Sequence, residues 1–371
     1  MKQPSNYAKG EYRVGTHCFS FTDKGRKELL GNADGDRHIS VRMYYSVNPA
    51  DIAGKKRAVM LSGGKMKALR KSMLMPKLTA EERTADYYHV PMMNGKRFPL
   101  IVYNHGLGSY IEANTFLCCF LASRGFIVAS VGHACEAVHT DYGRGVFDLM
   151  DKSVQKKMYP SGVIGAFVGQ ERLMKAKISR EQAMADFDKY QKKYAPYFAE
   201  RIDEWEKDAL AAVGEIKKRY AESLDLSRGI GVTGHSLGGD LAYRLCLYHD
   251  EFTCGINIDG AIFGRYDDTA MTKPFCQMCC KENLNVMTRP LVGSKAPVWL
   301  VTFDDMKHLG FSDMIFWINM GSIVGKIPAD ELFAELSESH LSFFDRYLRD
   351  GSGEPSRVKS LKAHYERIDP N

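Results

Sequence analysis

No stretch of this sequence reaches the ~18 consecutive apolar residues that read as a membrane span, and the opening Met1-Lys2-Gln3-Pro4-Ser5-Asn6-Tyr7 lacks the apolar run of a secretory signal. A transmembrane segment is therefore not expected, and a cytoplasmic location is. A block of one charge is also missing. Lys and Arg outnumber Asp and Glu by only 51 to 45 over 371 residues, and no basic stripe is interleaved with aromatics, so nucleic acid is a poor candidate partner. Neither repeats nor low-complexity tracts occur, which removes solenoids and propellers. Proline and glycine show no excess, and the 44% hydrophobic share matches an ordinary folded chain rather than a disordered one.

Zinc-like ligand spacing is absent as well. The nine cysteines are odd in number and several lie inside apolar runs, as in Leu117-Cys118-Cys119-Phe120. Cys276, Cys279 and Cys280 are close together but have no matching pair, so small hydrophobes in a core explain them better than bridges or a metal. No metal or organic cofactor is expected.

What is present is an alternation of strands and helices. Residues His38 to Val47 (HISVRMYYSV) alternate like a half-buried strand, while FPLIVYN from Phe98 and GFIVASV from Gly125 are short apolar runs typical of strands covered on both faces. Further buried strands are read at 229–233, 254–258, 274–279 and 297–303. Helical patterns fall at about 116–123, through Ile202, Trp205, Ala209, Val213 and Ile216, at 237–248 and at about 330–348. The order predicts one α/β domain over residues 1–371, a mostly parallel central sheet with helices on both faces. A polar, mostly helical insertion at about 144–197 interrupts it. That is a position for a lid, with the apolar patch Val163 to Val168, including Phe167, near the substrate. A surface excursion with no gating role is the alternative.

Gly234-His235-Ser236-Leu237-Gly238 is a G-x-S-x-G sequence with an apolar run before it and a helical pattern after it. That context predicts the nucleophile elbow of an α/β-hydrolase, a sharp strand-to-helix turn that exposes Ser236 above the sheet. The Leu237 N–H at the helix start would face a developing oxyanion, and a second donor, the Leu107 N–H, is expected from His105-Gly106-Leu107-Gly108 after strand 98–104. His105 itself reads as a structural histidine.

A serine nucleophile needs a histidine and an orienting carboxylate, here in chain order Ser, acid, His. Beyond Ser236 the histidines are His249, His308, His340 and His364. His308 follows strand 297–303 in a glycine-containing loop at the edge where the base belongs, with His340 as the competitor. For the carboxylate, Asp259 after strand 254–258 and Glu282 after the next strand are equally well placed, and Asp304 and Asp305 stand too close to His308 in sequence.

The segments FPLIVYNHGLG, GFIVASVGH, GHSLGG, GINIDG and HLGFSD resemble, in order over about residues 10–350, the plasma-type platelet-activating factor acetylhydrolases and their bacterial relatives. The resemblance implies an α/β-hydrolase fold and a serine carboxylic-ester hydrolase acting through an acyl-enzyme. Its substrates would be short-acyl esters or the sn-2 esters of phospholipids. It also implies Asp259 as the acid and favours His308 over His340. Asp240 departs from the family pattern, which has a small or apolar residue there, and the insertion has no segment-by-segment match. Dienelactone-type or cutinase-like hydrolases, peptidases and acyltransferases share the triad logic, and a non-catalytic binding module on the same fold is the alternative outside enzymes.

Overall fold

The computed structural model describes residues 2–30, 35–60, 83–143, 146–158, 163–351 and 362–370. Two long N-terminal strands, β1 (Arg13–Lys27) and β2 (Asp36–Val47), pair antiparallel over nearly their whole length. The short β3 (Arg57–Val59) and β4 (Arg83–Tyr88) extend that edge, with residues 61–82 between them outside the description. The centre is built from β5 (Phe98–Asn104) and β6 (Ile127–His133), which flank helix α1 (Thr115–Ala122) in the chain.

After β6 come the hairpin β7 (His139–Gly143) and β8 (Val146–Leu149), then α2 (Lys152–Met158), α3 (Val163–Met174) and α4 (Arg180–Tyr194). The long α5 (Pro196–Tyr220) returns the chain to the core, and β9 (Leu224–Asp225) adds a two-residue pairing on β5. The remaining core runs β10 (Ile230–His235), α6 (Leu237–Tyr248), β11 (Phe252–Ile258), β12 (Phe275–Cys280), β13 (Val298–Phe303), α7 (Ala329–Leu348) and β14 (Ala363–Ile368).

Across the sheet the order is β14-β13-β12-β11-β10-β5-β6-β2-β1-β4-β3. The six strands from β13 to β6 are mutually parallel, while β14 at one end and β2 beside β6 run antiparallel. This is the α/β-hydrolase arrangement. Because a strand's side chains alternate between faces, fully buried strands must feed two cores. Ile101, Tyr103, Ile256 and Met278 pack with α1 and α7 on one face, while Leu100, Val102, Val232 and Leu300 pack with α5 and α6 on the other. The α5 periodicity follows from this. Ile202, Trp205, Ala209, Val213 and Ile216 all point into the second core and are buried.

The strand and helix positions read from the sequence match these elements to within a few residues, and β1, β3, β4, β7, β8, β9 and β14 are additions to them. β14 lies in what reads as a charged tail: its residues alternate between half-buried and exposed at the sheet edge, so the apolar signal is weak. All nine cysteines are free thiols, and only Cys18 and Cys135 escape full burial. Among the described residues no helix is long and apolar enough to cross a membrane, and no group of His, Cys, Asp or Glu could hold a metal ion.

Candidate active site

Parallel strands all end on one edge, and ligand sites of open α/β sheets lie beyond those carboxyl ends. Ser236 follows β10, Asp259 follows β11, His308 follows β13 and Leu107 lies in the loop after β5. Four segments far apart in the chain thus meet over one edge. They line a pocket of about 360 Å³ together with Leu237, Gln170, Phe198, Ala261, Phe263, Asn283, Val286 and Met287.

The serine's turn is strained and tightly packed. Ser236 has φ 58°, ψ −128°, a region that non-glycine residues rarely occupy. Its amide donates to the Ile258 carbonyl at 2.9 Å, tying the elbow to β11. A Cβ on Gly238 would fall 2.1 Å from the Asn104 carbonyl oxygen, so only glycine lets the elbow helix seat against the end of β5. A Cβ on Gly106 would fall 3.3 Å from the Ser236 Oγ, so the bare backbone of that loop approaches the hydroxyl closely. Ser236 is partly exposed while its neighbours in the motif are buried.

Asp259 also has positive φ, at 51°. Its carboxylate is wholly buried, yet it is surrounded by donors. Oδ1 accepts the Cys280 N–H at 2.8 Å, and Oδ2 accepts the Asn283 amide at 2.9 Å and His308 Nδ1–H at 2.7 Å. The imidazole is 41% exposed against 0% for the carboxylate, so the acid is shielded and the ring remains open to the pocket. With Nδ1 donating to a carboxylate, Nε2 is the basic nitrogen.

Glu282, the competing carboxylate, instead pairs with Lys307 at 2.7 Å on the surface. His340 is buried far along α7, where Nδ1 donates to the Leu336 carbonyl at 2.7 Å and Nε2 accepts from the Thr233 hydroxyl at 3.1 Å. Burial holds its pKa down to about 4, so it is a neutral, satisfied core histidine. His249 pairs with Glu206 and His364 with Asp304, both away from the pocket.

Around Leu107 the neighbouring amides are engaged: Gly108 N–H donates to the Glu136 carbonyl at 2.9 Å and Ser109 N–H to Gly106 at 3.0 Å. His105 is buried beneath this loop. Its Nδ1 donates to the Gly106 carbonyl at 2.8 Å and its Nε2 accepts the His133 amide at 3.3 Å. Burial, with His133 beside it, lowers its pKa to about 3, which keeps the ring neutral and structural.

Several supporting residues gave no readable signal in the sequence. His235, the variable position of the elbow motif, sends Nε2 to the His308 carbonyl at 2.9 Å. It is neutral because burial, reinforced by His308, pushes its pKa down to about 3. Below the Leu107 loop, Glu136 accepts from Arg201 at 2.7 Å and from the Trp205 indole at 2.9 Å. Asp208 accepts from Arg37 at 2.7 Å and from His133 at 2.9 Å; against the cost of burial, the Arg37 guanidinium and these hydrogen bonds hold its pKa far below the ordinary range. Asp208 and Arg201 are the two charged residues on the buried face of α5, among apolar neighbours.

The insertion reaches the pocket through α3, whose Gln170 is among the lining residues. It is clasped to the acid side of the site: Asn285 donates to the Leu173 and Ala176 carbonyls at 2.9 and 2.8 Å, and Asp188 pairs with Arg289. The side chains of 163–167, Phe167 among them, lie outside the described residues.

A family model described as platelet-activating factor acetylhydrolase, isoform II, matches residues 5–159. The chain is 24% identical to the platelet-activating factor acetylhydrolase of Cavia porcellus over 278 residues, which is 70% of this chain and 60% of that protein. In sequence the chain is similar to the platelet-activating factor acetylhydrolases. The Gallus gallus acetylhydrolase is likewise 24% identical, over 68% of this chain and 63% of its own length, so the matched region spans somewhat under two thirds of these curated relatives. A ferulic acid esterase from Streptomyces cinnamoneus superposes with a TM-score of 0.73 at 20% identity, covering 98% of both chains, and shares the fold.

Proposed function

We propose that this protein is a serine hydrolase of carboxylic esters. The observation that carries the reading is the hydrogen bond from half-exposed His308 to buried Asp259, opening onto the same pocket as a strained, accessible Ser236. In the proposed reaction His308 Nε2 takes the Ser236 proton as Oγ attacks the ester carbonyl. Asp259 holds the ring in that tautomer and stabilises the imidazolium. The N–H groups of Leu107 and Leu237 stabilise the oxyanion, and the elbow helix adds its dipole at the same point. Collapse passes the proton from His308 to the departing alcohol and leaves an acyl-serine. Water, deprotonated by His308, then releases the acid and restores the serine.

The pocket supports small or slender acyl groups. Its Leu107, Phe198, Ala261, Phe263, Val286 and Met287 walls are apolar, and no Lys or Arg is among the described lining residues. Short-acyl esters, acetyl esters among them as in the relatives' name, fit that lining, and so does the sn-2 acetyl group of a phospholipid. A lid role for residues 144–197 rests on Gln170 at the pocket wall. The deciding experiment is labelling with a fluorophosphonate probe, followed by a p-nitrophenyl ester series and an sn-2 acetyl phospholipid. Labelling at Ser236 that is lost in Ser236→Ala, with hydrolysis falling roughly 10⁴-fold or more, is expected. Unimpaired hydrolysis by Ser236→Ala would remove the nucleophile and the reading with it.

A further inference from the structure

Asp240 is a fully buried carboxyl group in the first turn of α6, four residues beyond Ser236, and the proposed reaction makes no use of it. Burying such a group is costly unless its lone pairs are engaged. Here they are, and all by one neighbouring loop. Oδ2 accepts the backbone amides of Phe263 at 2.8 Å and Gly264 at 2.9 Å. The Tyr266 hydroxyl donates to Oδ1 and also lies 3.3 Å from the Asp240 carbonyl oxygen.

The anchored loop runs on from Asp259 and supplies two walls of the pocket, Ala261 and Phe263. The Phe263 ring stacks on Phe198 with centroids 4.6 Å apart and packs against Phe187 of α4 at 5.3 Å. The Asp259 carboxylate has its own donors in Cys280 and Asn283, which lie outside this loop. The elbow helix therefore grips the apolar wall through Asp240, while the acid is held separately.

We propose that Asp240 is a positioning residue that sets which acyl groups the pocket accepts, by fixing Ala261 and Phe263 against the helix that carries Ser236. This rests on the ester-hydrolase reading and names its selectivity device. With the anchor gone, two amides and a phenol lose their acceptor, and the wall is free to swing with Phe263 and admit longer chains. An asparagine can replace the carboxyl group: its Oδ1 accepts the two amides and its Nδ2 donates to the Tyr266 oxygen.

The test is the ratio of kcat/KM for p-nitrophenyl octanoate over butyrate, which cancels any uniform loss of folded enzyme. Asp240→Ala is expected to raise the ratio by about fivefold or more, and Asp240→Asn to restore it to the wild-type value. Tyr266→Phe, which removes one donor and leaves no large cavity, should move the ratio in the same direction by less and serves if Asp240→Ala does not fold. An unchanged ratio in the folded variants, or equal ratios for Asp240→Ala and Asp240→Asn, would overturn the proposal. Failure of wild-type Ser236 to react with the fluorophosphonate would instead overturn the hydrolase reading.

Discussion

His308 Nδ1 lies 2.7 Å from Asp259 Oδ2 although 49 residues of chain separate the two. One follows β13 and the other β11, and the parallel sheet brings both loops to the same edge. The contact has a consequence for the two carboxylates that compete in the sequence. Asp259→Asn should cost roughly 10³- to 10⁴-fold in kcat, because an amide no longer holds Nδ1–H toward itself. Glu282→Gln should change kcat less than about twofold, since it breaks only a surface pair with Lys307. Steady-state kinetics on one ester decides between them, and the reverse ranking would move the acid to the loop after β12.

For the histidines, His308→Ala should abolish turnover, whereas His340→Gln should leave kcat within a few-fold while lowering stability by about 1–3 kcal/mol. The cost arises because the buried Thr233 hydroxyl and Leu336 carbonyl lose well-formed partners. Urea denaturation and kinetics measured on the same preparation separate the two effects. A catalytic collapse in a folded His340→Gln protein would contradict the assignment.

Beneath the Leu107 loop, Asp208→Ala should destabilise the protein by about 3–5 kcal/mol, because the buried Arg37 loses its closest carboxylate. A chemical-denaturation midpoint close to the wild-type value would show that water or Glu136 replaces the lost partner.

The last prediction concerns pH. Burial pushes the Asp240 carboxyl up to about 7 from an ordinary value of 3.8, against the lowering effect of its donors Tyr266, Gly264 and Phe263. The folded state then holds a proton that the unfolded chain gives up earlier, so this group's contribution to stability falls as pH rises from about 4 to about 7 and is level above that. Asp240→Asn has no such titration. Its stability relative to wild type should therefore increase between pH 4 and pH 7.5, as read from paired denaturation curves. A constant difference across that range would mean that the carboxyl titrates normally in the fold.

By itself the sequence determined the strands and helices of the centre, the elbow at Ser236 and the glycine loop at Leu107. Each of these is encoded locally: apolar runs of strand length, a three-to-four-residue periodicity, and glycines where a Cβ would strike Asn104 or Ser236. The edge strand β14, half-exposed and charged, carried no such pattern. Spacing along the chain left Asp259 and Glu282 level and only the resemblance favoured Asp259; the contact of Asp259 with His308, and of His340 with Thr233, is visible only in the tertiary structure, because spacing says nothing about how loops on neighbouring parallel strands converge. The same holds for Asp240 and Asp208. A carboxylate on a buried helix face is understood only when the donors around it are known, and those donors come from segments that folding alone brings within hydrogen-bond distance.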